Sequence, residues 1–237
     1  MIRYIIFLLI IILSYKITYA RELGETEITT DEGIEVFQDE KYYLLKKNVQ
    51  ILSDELTLKG QVVKIYFEKD LYDIKKLIAN GEVDFQSIKF NVKGSGNNFQ
   101  LNIKNEKIII DGYDSRLYLE STEMLSDGNI QLSNLDGSFY INGSNSKLIN
   151  KTIYISGSKI NGNFDIHEGR REITKLIVED NDGLNIKTDK TNMFALKAVY
   201  DKKKSIIELF ENVEIKRGNQ VVTGDYGILD TQKNSYK

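Results

Sequence analysis

The stretch from Gly81 to Gly112, GEVDFQSIKFNVKGSGNNFQLNIKNEKIIIDG, alternates apolar and polar residues over most of its length. A period of two sends successive side chains to opposite faces, which is the pattern of a β-strand with one buried face. The alternation pauses at Gly94-Ser95-Gly96, where we expect a hairpin turn. The stretch therefore predicts antiparallel strands joined by tight turns.

The same texture continues through the rest of the chain after about residue 25. Turn signals such as Asp31-Glu32-Gly33 and Gln38-Asp39-Glu40 recur every 8–12 residues, which predicts roughly eighteen strands. The alternation slips by one residue beside Gly60, which is typical of a β-bulge. A helix over residues 71–80 is the weaker interpretation, because the segment is short and lies between predicted strands. We expect an all-β fold, with residues 21–237 forming a single domain.

Two internal repeats support this fold class. The sequence IKKLI at Ile74–Ile78 matches ITKLI at Ile173–Ile177, and NVQI at Asn48–Ile51 matches NVEI at Asn212–Ile215. Repeated strand units bury their apolar faces against their neighbours, so they predict stacked or rolled sheets.

Composition excludes several functions. The 237-residue chain has a net charge of −3, whereas nucleic-acid binding favours a basic surface. It has no cysteine, so disulfides and thiol chemistry are excluded, and a zinc site lacks ligands because His167 is the only histidine. The acidic segment Glu179–Gly183 is interpreted as a polar turn, with weak calcium binding as an alternative. We expect no catalytic residues, no metal and no cofactor, and hence no enzyme.

The first twenty residues, MIRYIIFLLIIILSYKITYA, have a basic start, a short apolar run and small residues before a cleavage position. This pattern predicts a signal peptide at residues 1–20 that is cleaved after Ala20. An uncleaved signal anchor remains the alternative. Because no second apolar span follows, we expect the mature protein to be exported and soluble.

Short motifs in a fixed order resemble the OstA-like (LptA) family of periplasmic lipopolysaccharide-transport proteins. The match is weakest over residues 113–162. The motifs are ITTD at Ile28–Asp31, NVQI at Asn48–Ile51, LTL at Leu56–Leu58, LIANGEV at Leu77–Val83, NVEI at Asn212–Ile215 and VTGDY at Val222–Tyr226.

The resemblance implies a fold and a task. The implied fold is an open, rolled antiparallel sheet, a β-jellyroll with unpaired edges near Ile28–Leu45 and Ile215–Tyr236. The implied function is to carry lipopolysaccharide across the periplasm of a Gram-negative cell, bridging the inner and outer membranes during outer-membrane biogenesis. The implied partners are lipid A, an LptC-like protein at the N-terminal edge and an LptD-like outer-membrane protein at the C-terminal edge. A head-to-tail homo-oligomer is also implied. No nucleic-acid partner is expected.

Such a carrier needs an apolar lining, because each buried CH₂ of an acyl chain contributes about 0.8 kcal/mol. Alternation predicts which side chains face inward, and the resemblance assigns them to a lipid-binding groove. Without the resemblance, the same residues would be interpreted as a packed core. The predicted groove residues are Val49, Ile51, Leu56, Leu58, Val63, Ile65, Leu77, Val83, Phe85, Phe99, Leu101, Ile103, Leu209, Val213, Ile215 and Val222.

Two other functions remain open at this point. Repeated strands with polar turns also build exported β-solenoids that bind or cleave polysaccharides. A lyase would need clustered acidic and basic groups on one face, and the sequence shows no convincing cluster. A membrane-anchored LptC-type protein has a similar fold, and cleavage after Ala20 would exclude it.

Overall fold

A computed structural model describes residues 24–69, 73–167, 170–233 and 235–236. The predicted signal peptide at residues 1–20 lies outside these ranges. Every regular element in the described ranges is a β-strand, so the all-β prediction is confirmed. Accordingly, this part of the chain contains no helix with the length and apolar character needed to cross a membrane.

Seventeen strands are described, and all of their pairings are antiparallel. Most of them pair with their neighbours in sequence. The strands are β1 Glu27–Thr29, β2 Ile34–Phe37, β3 Tyr42–Leu52, β4 Leu56–Phe67, β5 Ile74–Ser87, β6 Val92–Asn102, β7 Lys107–Asp111, β8 Ser115–Leu119, β9 Thr122–Ser126, β10 Asn129–Ser133, β11 Ser138–Ile149, β12 Ile153–His167, β13 Arg170–Thr188, β14 Asn192–Asp201, β15 Ile206–Arg217, β16 Gln220–Asp230 and β17 Ser235–Tyr236.

The long strands bend in the middle, so that each contributes to two walls. In β5, for example, residues 74–80 belong to one wall and residues 83–87 to the other, with a register shift between them. The first wall consists of residues 34–37, 42–46, 62–67, 74–80, 98–102, 107–111, 129–133, 138–142, 159–167, 170–179, 197–201, 206–210 and 226–230. The second wall consists of residues 27–29, 49–52, 56–60, 83–87, 92–96, 115–119, 122–126, 146–149, 153–157, 184–188, 192–195, 213–217 and 220–224. Their inner faces share one apolar core.

Left-handed backbone conformations form the corners between the two walls. Lys47 and Asn48 have φ values of 63° and 51°, and Glu211 and Asn212 have 64° and 52°. Asparagine tolerates this region better than most non-glycine residues. The repeated Asn-Val motif in the sequence therefore marks equivalent corners in β3 and β15. The bulge predicted beside Gly60 is confirmed as the register shift in β4 between Lys59 and Val62.

The hairpin turn predicted at Gly94-Ser95-Gly96 is wrong. These residues lie inside β6, and the turn precedes them between β5 and β6. The two glycines are needed for close packing instead: a Cβ on Gly94 would lie 2.5 Å from the carbonyl oxygen of Arg116, and one on Gly96 would lie 2.5 Å from Cγ2 of Ile110. The polar turn predicted at Glu179–Gly183 is likewise part of a strand, since it forms the corner of β13.

The middle of the sheet also differs from the predicted open roll. There β6, β7, β10, β11, β9 and β8 pair in a closed ring of six strands. The ring closes because β6 and β11 each pair with one short strand in the first wall and another in the second. At the two ends, within the described residues, β2 pairs only with β3, and β16 pairs with β15 and, over two residues, with β17.

Gly162 tests how tightly the inner face is packed. A Cβ on Gly162 would lie 2.0 Å from Cζ of the buried Phe139 ring. We expect Gly162→Ala to lower the free energy of unfolding by about 1–3 kcal/mol, as overpacked cores do. The free energy of unfolding is measured by urea titration, with circular dichroism as the signal. Gly224→Ala is the matched control, because its nearest neighbour would lie 3.6 Å away, and a change of less than about 1 kcal/mol is expected. Equal effects of the two variants would contradict the packing described.

Candidate functional site

The predicted groove residues lie on the inner faces of the two walls. Thirteen of the sixteen are no more than 4% exposed, and Leu56 and Ile103 are partly buried against the same core. Val222 differs, with 41% exposure. It lies opposite Ile215 and so shares the inner face, but it belongs to β16, whose far side is largely unpaired.

In the N-terminal half, these residues pack against one another. The rings of Phe85 and Phe99, for instance, are 4.3 Å apart between centroids. At that distance the two walls are in contact, and the side chains fill the space between them. The N-terminal half of the interior is thus a packed core in this structure.

A cavity of about 700 Å³ lies between the walls in the C-terminal half. None of the sixteen predicted groove residues lines it. Its apolar lining comes from Leu148, Ile153, Ile155 and Ile186 on the second wall and from Ile173, Leu176, Val178, Ala198, Tyr200, Ile207 and Leu229 on the first. Its polar lining comes from Ser121, Thr122, Asn150, Thr152, Arg171, Glu172, Thr188, Asp189, Lys190 and Thr231.

Small residues explain why the cavity lies in this half. In the central inner row of the first wall, Phe99, Ile110 and Ile130 lie side by side on neighbouring strands. Toward the C-terminus the same row reaches Ala198 and then Gly227, on either side of Leu209. Ala79 also lies in this row, but beside the Phe99 ring, whereas Ala198 lies between Val178 and Leu209. With no aromatic ring next to it, the small side chain leaves space that the opposite wall does not fill.

The cavity joins an apolar floor to a charged rim. Many of the polar lining residues lie in turns or at strand ends, where the walls end. At the rim Glu172 forms an ion pair with Lys202, and Lys190 is exposed. Burial raises the pKa of the Tyr200 hydroxyl, which therefore stays neutral beside the apolar floor. The arrangement suits a ligand with an apolar body and a polar end.

Sequence reasoning missed this cavity, although one signal was present. The repeat aligns Ile74–Ile78 in the N-terminal half with Ile173–Ile177 in the C-terminal half. The second of these segments contains Leu176, which lines the cavity. Laying the following strands side by side would have set Ala198 against Phe99. Arg171 carries no such signal, because its partners come from distant turns.

The described residues contain no group of three or more His, Cys, Asp or Glu side chains placed to hold a metal ion. In the acidic segment considered for calcium, Glu179 accepts a hydrogen bond from Lys197 at 2.8 Å, and Asp180 accepts one from the backbone of Asp182 at 2.8 Å. The side chain of His167 lies outside the described part of the chain.

Comparison with known proteins finds similarity in structure but not in sequence. No protein-family model matches the sequence, and no curated protein matches it. Among solved structures, the chain is similar to LptH from Pseudomonas aeruginosa, described as the LptA-homologous periplasmic component of the conserved lipopolysaccharide transport device. The match has 10% sequence identity and a TM-score of 0.44, and it covers 53% of this chain and 94% of that one. These values are too low to assign this chain to the family of that protein.

Tyr200 gives the cavity a pH signature. Since burial raises its pKa above the ordinary value of about 10, the folded protein keeps the phenolic proton at pH values where the unfolded chain has lost it. The contribution of Tyr200 to the free energy of unfolding should therefore be lost as the pH rises from about 10 through the raised pKa of the folded state. We expect Tyr200→Phe to reduce this loss, measured as the urea midpoint at pH 8 and pH 10.5. Tyr113→Phe is the control, since Tyr113 is 81% exposed. An identical pH dependence in both variants would contradict the assignment.

Proposed function

We propose that this protein carries lipopolysaccharide across the periplasm and shelters lipid A acyl chains between its two walls. The observation that carries the proposal is the cavity with an apolar floor, which is bounded by a double-walled sheet with polar turns at its rim. The ordered motifs of the OstA-like family in the sequence support it independently. Export through the predicted signal peptide is part of the same proposal.

The energetics favour an acyl chain in this cavity. A twelve-carbon chain left in water would cost on the order of 10 kcal/mol, at about 0.8 kcal/mol for each CH₂. Leu148, Ile155 and Ile186 offer an apolar surface on one wall, and Leu176 and Ile207 offer one on the other. The polar rim leaves room for a hydrated head group to remain in solvent.

The predicted groove residues have a place in this proposal. Those in the N-terminal half, such as Phe85 and Phe99, would line a continuation of the path if the walls separated there. Leu209 and Ile215 lie on the inner faces of the C-terminal half, where the cavity is found. We propose that acyl chains enter the C-terminal cavity first.

Exposed apolar residues at both ends support edge-to-edge assembly. At the N-terminal end Ile34 is 50% exposed and Val36 is 48% exposed, although both lie on the inner face of the first wall. At the C-terminal end Val222 lies on the inner face of the second wall. A strand added to either edge would extend the sheet and cover these side chains, as in β-augmentation. The proposed partners are an LptC-like protein at the N-terminal edge, an LptD-like protein at the C-terminal edge, and a second copy of this chain head to tail.

The polysaccharide-active β-solenoid has no specific observation in its favour. Solenoids of that kind coil parallel strands around an axis, whereas the pairings described here are antiparallel. The anchored LptC-type alternative depends on residues 1–20, and N-terminal sequencing of the exported protein would decide it.

Site-specific photo-crosslinking tests where lipopolysaccharide binds. A crosslinking residue at Ile186, which lines the cavity and is 3% exposed, should capture lipopolysaccharide in cells. Its neighbour Lys187 is exposed on the outer face of the same strand, and we expect no capture there. Capture at Phe85 would in addition show that the N-terminal half opens. Equal capture at Ile186 and Lys187 would remove the basis for an internal lipid site.

Two adjacent valines test the C-terminal edge. Val222→Lys places a charge on the exposed inner face and should weaken self-association, because the incoming strand would bury that charge. Val221→Lys is the matched control, since Val221 is opposite Lys216 on the outer face and is 55% exposed. Sedimentation velocity over a range of concentrations measures association. A monomeric parent protein that also binds neither proposed partner would exclude the edge model.

A further inference from the structure

Arg171 lies at the end of the cavity nearer the middle of the molecule, among groups from distant parts of the chain. Its side chain is only 8% exposed, although it belongs to a strand of the first wall. The Nη2 atom donates to the carbonyl oxygen of Phe90 at 2.8 Å, and Nε donates to Oδ1 of Asn134 at 3.1 Å. The Nη1 atom lies 3.5 Å from a carboxylate oxygen of Glu120. All three guanidinium nitrogens therefore have an oxygen partner.

These partners belong to turns of both walls. Phe90 and Glu120 lie in turns at the end of the second wall, and Asn134 lies in a turn at the end of the first. Asn134 in turn donates to Glu106 in the neighbouring turn at 2.6 Å. The backbone N–H of Arg171 also donates to Glu120, at 3.0 Å. The contacts thus fasten the two walls together across the opening between them.

An extension of β12 and β13 brings Arg171 to this position. After the pair Asn163–Lys175 the register shifts, and the two strands continue pairing to His167 and Arg170. Four further pairs project roughly 13 Å at about 3.3 Å per residue. The extension includes Phe164, which is 3% exposed and whose ring centroid lies 5.8 Å from the Arg171 guanidinium.

We propose that Arg171 is a specificity-determining residue that ends the apolar path and limits the length of acyl chain the cavity accepts. The inference rests on the proposed function, because it concerns the same cavity and the same class of ligand. An apolar chain that reached the guanidinium would have to displace its hydrogen-bond partners and leave a buried charge unpaired. Beyond Arg171 lies the closed six-stranded ring, whose interior is lined by apolar side chains such as Leu119, Met124 and Leu132, so a chain that passed the guanidinium would meet an apolar surface that can repack around it.

The arginine is less suited to bind the anionic end of a lipid. Nε and Nη2 already donate to Asn134 and Phe90, and the N–H groups of Nη1 face the Glu120 carboxylate at 3.5 Å, so an anion would have to compete with that carboxylate for them. Glu120 already lies against the guanidinium and would repel a second carboxylate or phosphate. We therefore expect the tail of the ligand to point toward Arg171 and the head group to lie at the rim.

Chain-length profiles test the proposal. Affinities of saturated fatty acids from ten to eighteen carbons, and of the alcohols of the same lengths, are measured by displacement of a fluorescent fatty acid. The parent protein should reach its highest affinity at an intermediate length. In Arg171→Met the maximum should move to longer chains, with roughly a tenfold gain for each further pair of methylene groups that becomes buried.

Two more variants separate a local effect from loss of folding. Arg171→Lys keeps the charge but loses the planar fork that reaches three partners, and it should also shift the maximum to longer chains. Arg116→Met is the control, because Arg116 forms an exposed ion pair with Asp114 and neither residue lines the cavity. Circular dichroism establishes that each variant keeps its β spectrum, so that Arg171→Lys decides the matter if Arg171→Met does not fold.

The outcomes distinguish the two proposals. If the parent protein binds no chain of any length, the proposed lipid-carrying function fails. If it binds and the folded Arg171 variants keep the parent length profile, lipid binding stands and the role given to Arg171 is overturned. If the variants lose affinity for the acids but not for the alcohols, Arg171 binds the head group, which also overturns the proposal.

Discussion

The corner in each long strand is the constraint on which the rest of the structure depends. Backbone pairing requires neighbouring strands to bend at the same level. A strand that stayed straight would pair with its neighbours in one wall and lose its hydrogen bonds to them in the other. Asn48 and Asn212 meet this requirement with left-handed backbone conformations, and Gly81 meets it with a φ of 80°. Once the corners are aligned, the alternation of each strand directs one set of side chains into the space between the walls. Both the packed core and the cavity follow from this arrangement.

The two halves of the interior differ in side-chain size while the backbone plan stays the same. Phe99 and Ala198 occupy the same inner row on strands far apart in the chain. The Phe99 ring fills the space even beside the small Ala79, whereas no aromatic residue stands beside Ala198 and the space there stays open. A cavity formed in this way is held by the hydrogen-bonded walls around it, so the strands need not distort to make room. Arg171 lies at the boundary between the two halves, because it lines the cavity and contacts turns of the six-stranded ring.

The sequence predicts the fold class and most of the inner face, because both depend on local periodicity. Inward positions such as Leu58 and Val83 follow from alternation alone. The turn predicted at Gly94-Ser95-Gly96 is wrong because glycine occurs both in turns and where another part of the chain packs closely against the backbone. The close approach of Arg116 and Ile110 is visible only in three dimensions. The six-stranded ring could not be predicted, since it depends on pairing between strands that are not neighbours in sequence. Arg171 escaped for the same reason, since its partners come from distant turns, whereas the cavity left a signal in the internal repeat, which sets Ala198 against Phe99.

The pairing of sequence neighbours has a consequence for how such a chain can change its length. Each hairpin adds two strands whose main contacts are with the preceding strand and the following one, as in β4, β5 and β6. Duplicating one hairpin would therefore lengthen the interior, and deleting one would shorten it. The pairs on either side would stay the same, provided that the corner is retained. Folding benefits as well, because loop closure between adjacent strands costs little conformational entropy. A molecule built in this way can be adapted to a different span by whole hairpins, with its two ends left unchanged.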